Sequence, residues 1–513
     1  MKQRFILLAV LLCCLLLGCQ QEQTPYVPTG DGLSWDDGTP VNTTEAKEAL
    51  EQELVLVYYP EKTLNPYKST DFTNRTLFSL LYQSLFVVDS DYRVSPMLCS
   101  RYTMSEDMRT YTFYIHEATF SDGSALTIED VFASIQAARS SAVYKGRFIH
   151  VTDIKLGETG GIIFKLKTAQ ENFPILLDIP ILKATELEED APLGTGPYFM
   201  EHTNAGDRLR RRTDWWCDYE MIITASSIPL RVAESVTQIR DTFEFEDVGL
   251  VCADPGSDTY ADYRCDYELW DCENGGFVYI GCNIDSDVFS KPAVRAALTH
   301  AIDRDALVRD FYRNFAHSAT LPASPLSPYY SNQLAAKYTY DPERFMQALS
   351  DHYLSGSTIT ILVNKRDTLR LRMARAIGQM LEDCGLVVEM LETTGNDYYY
   401  YLNIREFDLY LGQTRLSANM DLSAFFKEGG AMRYGGMTDA ATYALCLEAL
   451  ANRGNYYDLH EAVMKDGRLC PVLFQTYSIH ATRGLLTGLT PSRDNVFYYT
   501  SGKTMENILE QLG

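Results

Sequence analysis

The sequence predicts an α/β fold, and three stretches carry that prediction. Tyr111, Phe113 and Ile115 alternate with Thr112 and Tyr114, the period of two expected of a half-buried β-strand. Ile128, Val131, Phe132 and Ile135 fall at i, i+3, i+4 and i+7, one stripe of an amphipathic helix that should lie on a sheet. Leu54-Val55-Leu56-Val57-Tyr58-Tyr59 reads as a first, buried strand. Between the strand and helix of the central stretch, Ser121-Asp122-Gly123 supplies a tight reversal, because Asp bonds its own backbone and Gly tolerates positive φ. Thr127 with Asp130 three residues later resembles a capping box, in which a hydroxyl and an acid satisfy the free N–H groups at a helix start. Further on, Ser290 is placed to cap a helix and Pro292 suits its first turn, with Val294, Ala297, Leu298 and Ala301 as its stripe.

A chain of 513 residues, 46% hydrophobic and 22% charged, is long enough for two or three globular domains. Its net charge of −24 argues against a nucleic-acid or anionic-membrane surface, since phosphate binding needs clustered Lys and Arg. Lys2 and Arg4 precede an apolar run over residues 5–17, too short to span a bilayer and typical of a secretion signal. Leu16-Leu17-Gly18-Cys19 looks like a bacterial lipobox, which makes residues 1–18 a signal peptide and Cys19 the lipidated residue. Buried acyl methylenes, at roughly 0.8 kcal/mol each, would tether the protein to a membrane. Residues 19–49 are polar and rich in Gly, Pro and Thr, the composition of a flexible spacer. The body is expected to be soluble and extracytoplasmic. Of the nine cysteines after Cys19, Cys252, Cys265, Cys272 and Cys282 cluster and are candidates for one or two disulfides, with connectivity open. No C-x-x-C pair exists and the histidines lack metal spacing, so neither a metal nor another cofactor is expected.

Taken together, the strand, the Phe120-Ser121-Asp122-Gly123 turn and the Asp130-Val131-Phe132 helix entry resemble the signature of the family 5 extracellular solute-binding proteins, the peptide- and nickel-binding lipoproteins of ABC importers. Leu64-Asn65-Pro66-Tyr67, Gly194-Thr195-Gly196-Pro197-Tyr198, Asp214-Trp215-Trp216, Ala301-Ile302-Asp303-Arg304 and Tyr340-Asp341-Pro342-Glu343 resemble further family segments in the same order. The resemblance implies the class II periplasmic-binding-protein fold, two α/β lobes with an extra subdomain. Lobe I would comprise residues 50–75, 196–276 and 485–513, its satellite subdomain residues 76–195, and lobe II residues 277–484. It implies recognition rather than catalysis: a small peptide or peptide-like solute is captured and delivered to ABC permease subunits served by cytoplasmic ATPases, by a monomer held to the cell membrane through lipid on Cys19. A non-transport peptide-sensing or wall-associated lipoprotein of the same fold, and a binder of a non-peptide anionic solute, are the alternatives.

Peptide binders of the family carry a Trp and then an amine-binding Asp in the motif that resembles residues 407–426, but here Arg415 and Ala418 take those positions. Arg415 then faces either an anionic group of the ligand or a salt bridge between lobes. Asp421 is either a displaced amine acceptor or the N-cap of the helix after it. Asn419 and Tyr410 are candidates from the same motif, and Thr73, Asn74 and Arg75 sit where the family's first loop approaches the ligand. Tyr398-Tyr399-Tyr400-Tyr401 either line the cleft or begin a helix. Ser501-Gly502-Lys503-Thr504 imitates a P-loop end, but Phe497 holds the first Gly position. No G-x-S-x-G, H-E-x-x-H or catalytic Cys-His signature is found, and an enzyme is not expected.

Overall fold

The strand centred on Tyr111 forms as the alternation predicts, in the computed structural model, which describes residues 53–217, 223–245, 247–258, 260 and 263–510. The signal, Cys19 and the linker lie outside the described residues. Thr110–Ile115 buries Tyr111 and Phe113 and pairs with Cys99–Met104 on one side and Ile162–Leu166 on the other; Val151–Leu156 completes an antiparallel four-stranded sheet. The helix Ile128–Ser140 follows, opened by the expected capping box, and its buried Val131 and Ile135 fix its inner face. Ser134 Oγ donates to the Leu182 carbonyl at 3.0 Å, tying the helix to the chain leaving this sheet.

A second four-stranded sheet runs in the order Leu56–Tyr58, Ser227–Val232, Gly206–Arg211, Tyr198–Thr203, with the first pair parallel and the rest antiparallel. The Gly-Thr-Gly-Pro-Tyr segment leads into it. A Cβ on Gly194 would stand 2.2 Å from the Leu81 carbonyl oxygen and one on Gly196 2.4 Å from that of Leu80, so only glycine lets the backbones approach this closely.

The largest sheet has seven strands. Leu250–Ala253, Leu469–Thr482, Tyr267–Cys282, Leu409–Arg415, Thr358–Asn364 and Val387–Thr393 lie in that order, and Ala316–Ser318 pairs on Leu469–Thr482. Its last three strands are parallel to one another, and the helix Thr368–Asp383 is the crossover between two of them, burying Met373, Ala374, Ile377 and Leu381. The two long strands pair antiparallel from Tyr267 opposite Thr482 to Gly281 opposite Leu469, with the register broken between Glu273 and Phe277. Gly275, at φ 72°, sits in that break.

Two sequence expectations are corrected. The helix Pro292–Leu298 has Lys291 at its N-cap without a side-chain cap, and Ser290 Oγ instead donates back to the Asp287 carbonyl at 3.3 Å; Pro292 does occupy the first turn. Of the clustered cysteines, Cys252, Cys272 and Cys282 carry thiols rather than disulfides. Cys272 donates to the Ser492 carbonyl at 2.7 Å and Cys252 accepts from Thr76 Oγ1 at 3.8 Å, while Cys282 is buried opposite Leu409. Burial pushes the Cys252 thiol up to about 12, which suits an unreactive core position. Tyr398 to Tyr401 lie in the helix Gly395–Ile404, with Tyr399 and Tyr400 exposed. Among the described residues no helix is long and apolar enough to cross a membrane.

Candidate functional site

A cleft opens where segments far apart in sequence meet. It is lined by Arg75, Ser79, Tyr144, Arg147, Ser492 and Arg493 among others, and holds about 750 Å³ of empty space, its solvent-open mouth included. Arg75 is the last residue of the short helix Phe72–Arg75, whose N-cap Asp71 accepts from the Asn74 backbone. Arg415 ends the strand Leu409–Arg415, opposite Gly276 at the bulge. Both arginines reach one carboxylate oxygen, Oδ2 of Asp494: Arg75 at 3.5 Å and Arg415 in direct contact. Asp494 stands at φ 59°, in the left-handed region that Asp and Asn tolerate better than most residues, and its backbone N–H is held by the Glu273 carbonyl at 3.0 Å.

Two further arginines complete the cationic end. Arg493 donates to the Leu416 carbonyl and lies 5.9 Å over the ring of Tyr92, whose hydroxyl donates to Glu273; Ser324 donates to the other Glu273 oxygen at 2.6 Å. Arg147 pairs with Asp178 and stacks at 4.9 Å over Tyr144. Burial pushes the Tyr144 hydroxyl up, opposed by the positive charges of Arg75, Arg147 and Arg415. Loss of hydration on the side facing the cluster, and then the like charges of Arg75, Arg493 and Arg147, push Arg415 down, although 39% of its side-chain surface stays exposed. Phe72 stacks on Tyr477 at 3.4 Å between ring centroids, beside this cluster. Several polar atoms of the lining have no protein partner: Ser79 Oγ, Ser492 Oγ, Arg493 Nε, Asp494 Oδ1 and Asn495 Oδ1. Buried polar groups are ordinarily paired, so these atoms are candidates for contact with a bound solute.

The residues singled out from sequence separate into three groups. Arg75 lines the cleft and Arg415 meets it on the carboxylate of Asp494, with Thr73 half-buried on the short helix of Arg75. Asn74 and Tyr410 belong to the scaffold. Asn74 is fully buried, bonding the Tyr59 N–H and carbonyl at 2.8 and 3.0 Å, and Tyr410 is buried edge-on against Tyr279 and Phe407. Asn419 and Asp421 meet a different part of the chain. Asp421 Oδ2 lies 2.9 Å from His150 Nε2, and its Oδ1 accepts from the Ser423 N–H at 2.8 Å at the entry to the helix Ser423–Phe426. Burial raises the Asp421 carboxyl, but His150 and Ser423 outweigh it and leave the group below its usual range. Asn419 accepts from the Tyr456 hydroxyl through its backbone carbonyl and lines a small second cavity with Gln170, Asn172, Tyr329 and Arg453. Sequence reasoning missed Arg147, Arg493 and Asp494. The one signal for the last two was the polar turn Pro491-Ser492-Arg493-Asp494-Asn495 within an apolar C-terminal stretch.

Lobes of mixed α/β sheet, joined by long antiparallel strands and carrying an added antiparallel sheet, define the class II periplasmic-binding-protein fold. The chain belongs to the bacterial extracellular solute-binding proteins, family 5, whose middle region matches residues 93–430. This is a family of binding proteins, not of enzymes. The chain is similar to the glutathione-binding protein GsiB of Escherichia coli strain K12, 25% identical over 347 residues that cover 64% of this chain and 67% of the relative. For GsiB of Salmonella paratyphi A the figures are 23% identity, 63% of this chain and 66% of the relative, so the chain spans about two thirds of the length of the curated relatives it matches. Among solved structures, a nickel ABC transporter protein from Bacillus halodurans superposes with a TM-score of 0.71 at 17% identity, covering 88% of this chain and 99% of that one. AgaA of A. tumefaciens R10, solved with agropinic acid, gives a TM-score of 0.63 at 18% identity, covering 88% of this chain and 97% of that one.

Proposed function

We propose that this protein is a lipid-anchored, extracytoplasmic substrate-binding protein that captures a small peptide-like solute in the arginine-lined cleft and delivers it to the permease of an ABC importer. The observation that carries the reading is the run of unpartnered polar atoms on Ser79, Ser492, Arg493, Asp494 and Asn495, drawn to one cleft from both ends of the chain. Lipid on Cys19 and the spacer over residues 19–49 keep the body beside the membrane. Residues 50–75, 196–276 and 485–513 act as one lobe, with residues 76–195 as its satellite, and residues 277–484 as the other. The bulge between Glu273 and Phe277 is the natural flexing point, since a register break weakens a long strand pair locally. Closure is a population shift: solute binds the open form on the lobe I and satellite residues that line the cleft, meets Arg415 from the other lobe beside Asp494 and favours the closed form, whose surface the permease reads.

A second reading, capture of a non-peptide acid, is favoured by Arg415 at the position where peptide binders of the family carry Trp and by the absence of an Asp at Ala418. Names of relatives fit both: glutathione is an acidic tripeptide, and agropinic acid is an acid. Native mass spectrometry of the full chain, purified gently in detergent, distinguishes them. Release of small peptides or peptide-like acids is the expected result, and glutathione is the first compound to add back. A chain that retains no solute and rebinds none from a peptide digest contradicts the proposal.

A further inference from the structure

The arginine end of the cleft carries more positive charge than the protein itself answers. Arg75 and Arg415 share a single carboxylate oxygen of Asp494, while the other oxygen, Oδ1, is buried without a partner on the cleft wall. A salt bridge built only for structure would use both oxygens, because the guanidinium fork matches a carboxylate bidentately. Arg147 is answered by Asp178, and Glu273, beyond Arg493, is already occupied by Tyr92 and Ser324. Arg493 keeps 8% of its surface exposed, and its buried Nε has no protein partner. Its place is set by the backbone: a Cβ on Gly275 would come within 2.1 Å of Arg493 Nη2. Four guanidinium groups thus meet three carboxylates, in a chain whose net charge is −24. An ammonium brought here would face four like charges; a carboxylate would find three arginines with donors to spare.

We infer that the solute is an acid whose negative charge exceeds its positive charge, and that Asp494 determines this specificity by holding, in the protein alone, the seat on Arg75 and Arg415 that the solute's carboxylate takes over. This deepens the capture reading and rests on it. Displacement costs the protein one ion pair and returns another of the same kind. The preference for acids therefore comes from the second guanidinium of the pair and from Arg493, which Asp494 leaves unsatisfied. A neutral zwitterion, which brings an ammonium with its carboxylate, gains less.

The test is calorimetric titration of the full chain in detergent with tri-glutamate and with tri-glutamine, peptides of one length and one backbone. Tri-glutamate is expected to bind at least about tenfold more tightly, the scale of one added charge-assisted hydrogen bond. Asp494→Asn removes the resident competitor at constant shape and is expected to tighten tri-glutamate several-fold. Arg415→Gln is expected to erase the preference, and Arg415→Lys to keep part of it, which separates lost charge from lost folding. Equal or tighter binding of tri-glutamine overturns the inference and leaves peptide capture standing. Weaker binding of both peptides to Asp494→Asn also overturns it, by making Asp494 an amine acceptor. An unchanged ratio with a lowered melting temperature overturns it by making the pair a structural clasp. Should neither peptide bind, the net charge of whatever solute native mass spectrometry releases decides: an anion upholds the inference, and a neutral or cationic species overturns it. If no solute is released or bound at all, the capture reading itself fails.

Discussion

Acidification from pH 7 to pH 5 is expected to destabilise this protein by about 2 kcal/mol for each of two buried histidines, His460 and His480. Both rings are fully buried, and burial pushes both down to about 3. His460 has no protein partner on either nitrogen and lies edge-on against Tyr456 at 5.7 Å; His480 sits among Tyr263, Tyr267 and Phe243, with Nε2 bonded to Ser478 at 3.0 Å and to the Tyr260 hydroxyl at 3.5 Å, and Nδ1 unpartnered. An unfolded histidine takes up its proton near pH 6.5, whereas these refuse it until about pH 3. Across that window the unfolded state therefore binds more protons, and stability falls as pH falls. Below about pH 3 both states are protonated and the loss is complete. His460→Leu replaces an ionisable core group with an apolar one of similar size. Urea unfolding of variant and wild type at pH 7 and pH 5 should show that the variant loses about 2 kcal/mol less on acidification. An identical pH dependence in the two proteins contradicts the assignment.

Arg304→Leu is expected to cost about 3–5 kcal/mol of stability, because it strips donors from several buried carbonyls at once. Arg304 is 4% exposed at the start of the helix Arg304–Tyr312. Its Nε donates to the carbonyls of Ala319 and Pro471, both at 3.0 Å. Its terminal nitrogens donate to the Thr299 carbonyl at 2.9 Å, the Ile302 carbonyl at 3.3 Å and Thr299 Oγ1 at 2.7 Å. Among the described residues no carboxylate forms an ion pair with it. Burial pushes its pKa down, and the carbonyl dipoles hold the charge in place. The guanidinium therefore acts as a three-way staple joining the helix start, the chain before Ala319 and the long strand Leu469–Thr482. Arg304→Lys keeps the charge but lacks the planar fork, so it should recover less than half of the loss. Urea midpoints for both variants within 1 kcal/mol of wild type would show that the staple is dispensable.

How much of this was legible in the sequence depended on whether the cause was local. The capping box of Thr127 and Asp130, the alternation in Thr110–Ile115 and the first-turn Pro292 are decided by residues within a few positions, and the structure has them. Tyr410 is the instructive miss. Leu409 to Gly412 are all buried, as befits a strand inside a large sheet, so a period of two could not tell a cleft face from a core face. Ser290 lost its capping role because Lys291 stands between it and the helix. The cleft itself is assembled from long-range meetings: Arg415 with Asp494, Arg75 with the same carboxylate, His150 with Asp421. No local pattern encodes those partners. Sequence could name Arg415 and Arg75 as unusual, but only the fold could supply Arg147, Arg493 and Asp494 beside them.

Solute is predicted to occupy the arginine-lined cleft. Hydrogen–deuterium exchange on the full chain, with and without the solute released in native mass spectrometry, tests it most directly. Protection is predicted at residues 75–84, 144–147, 415–416 and 492–495, together with slower exchange at the 273–277 bulge as the lobes close. Protection confined to other surfaces, with those four segments unchanged, would place the solute elsewhere and contradict the account.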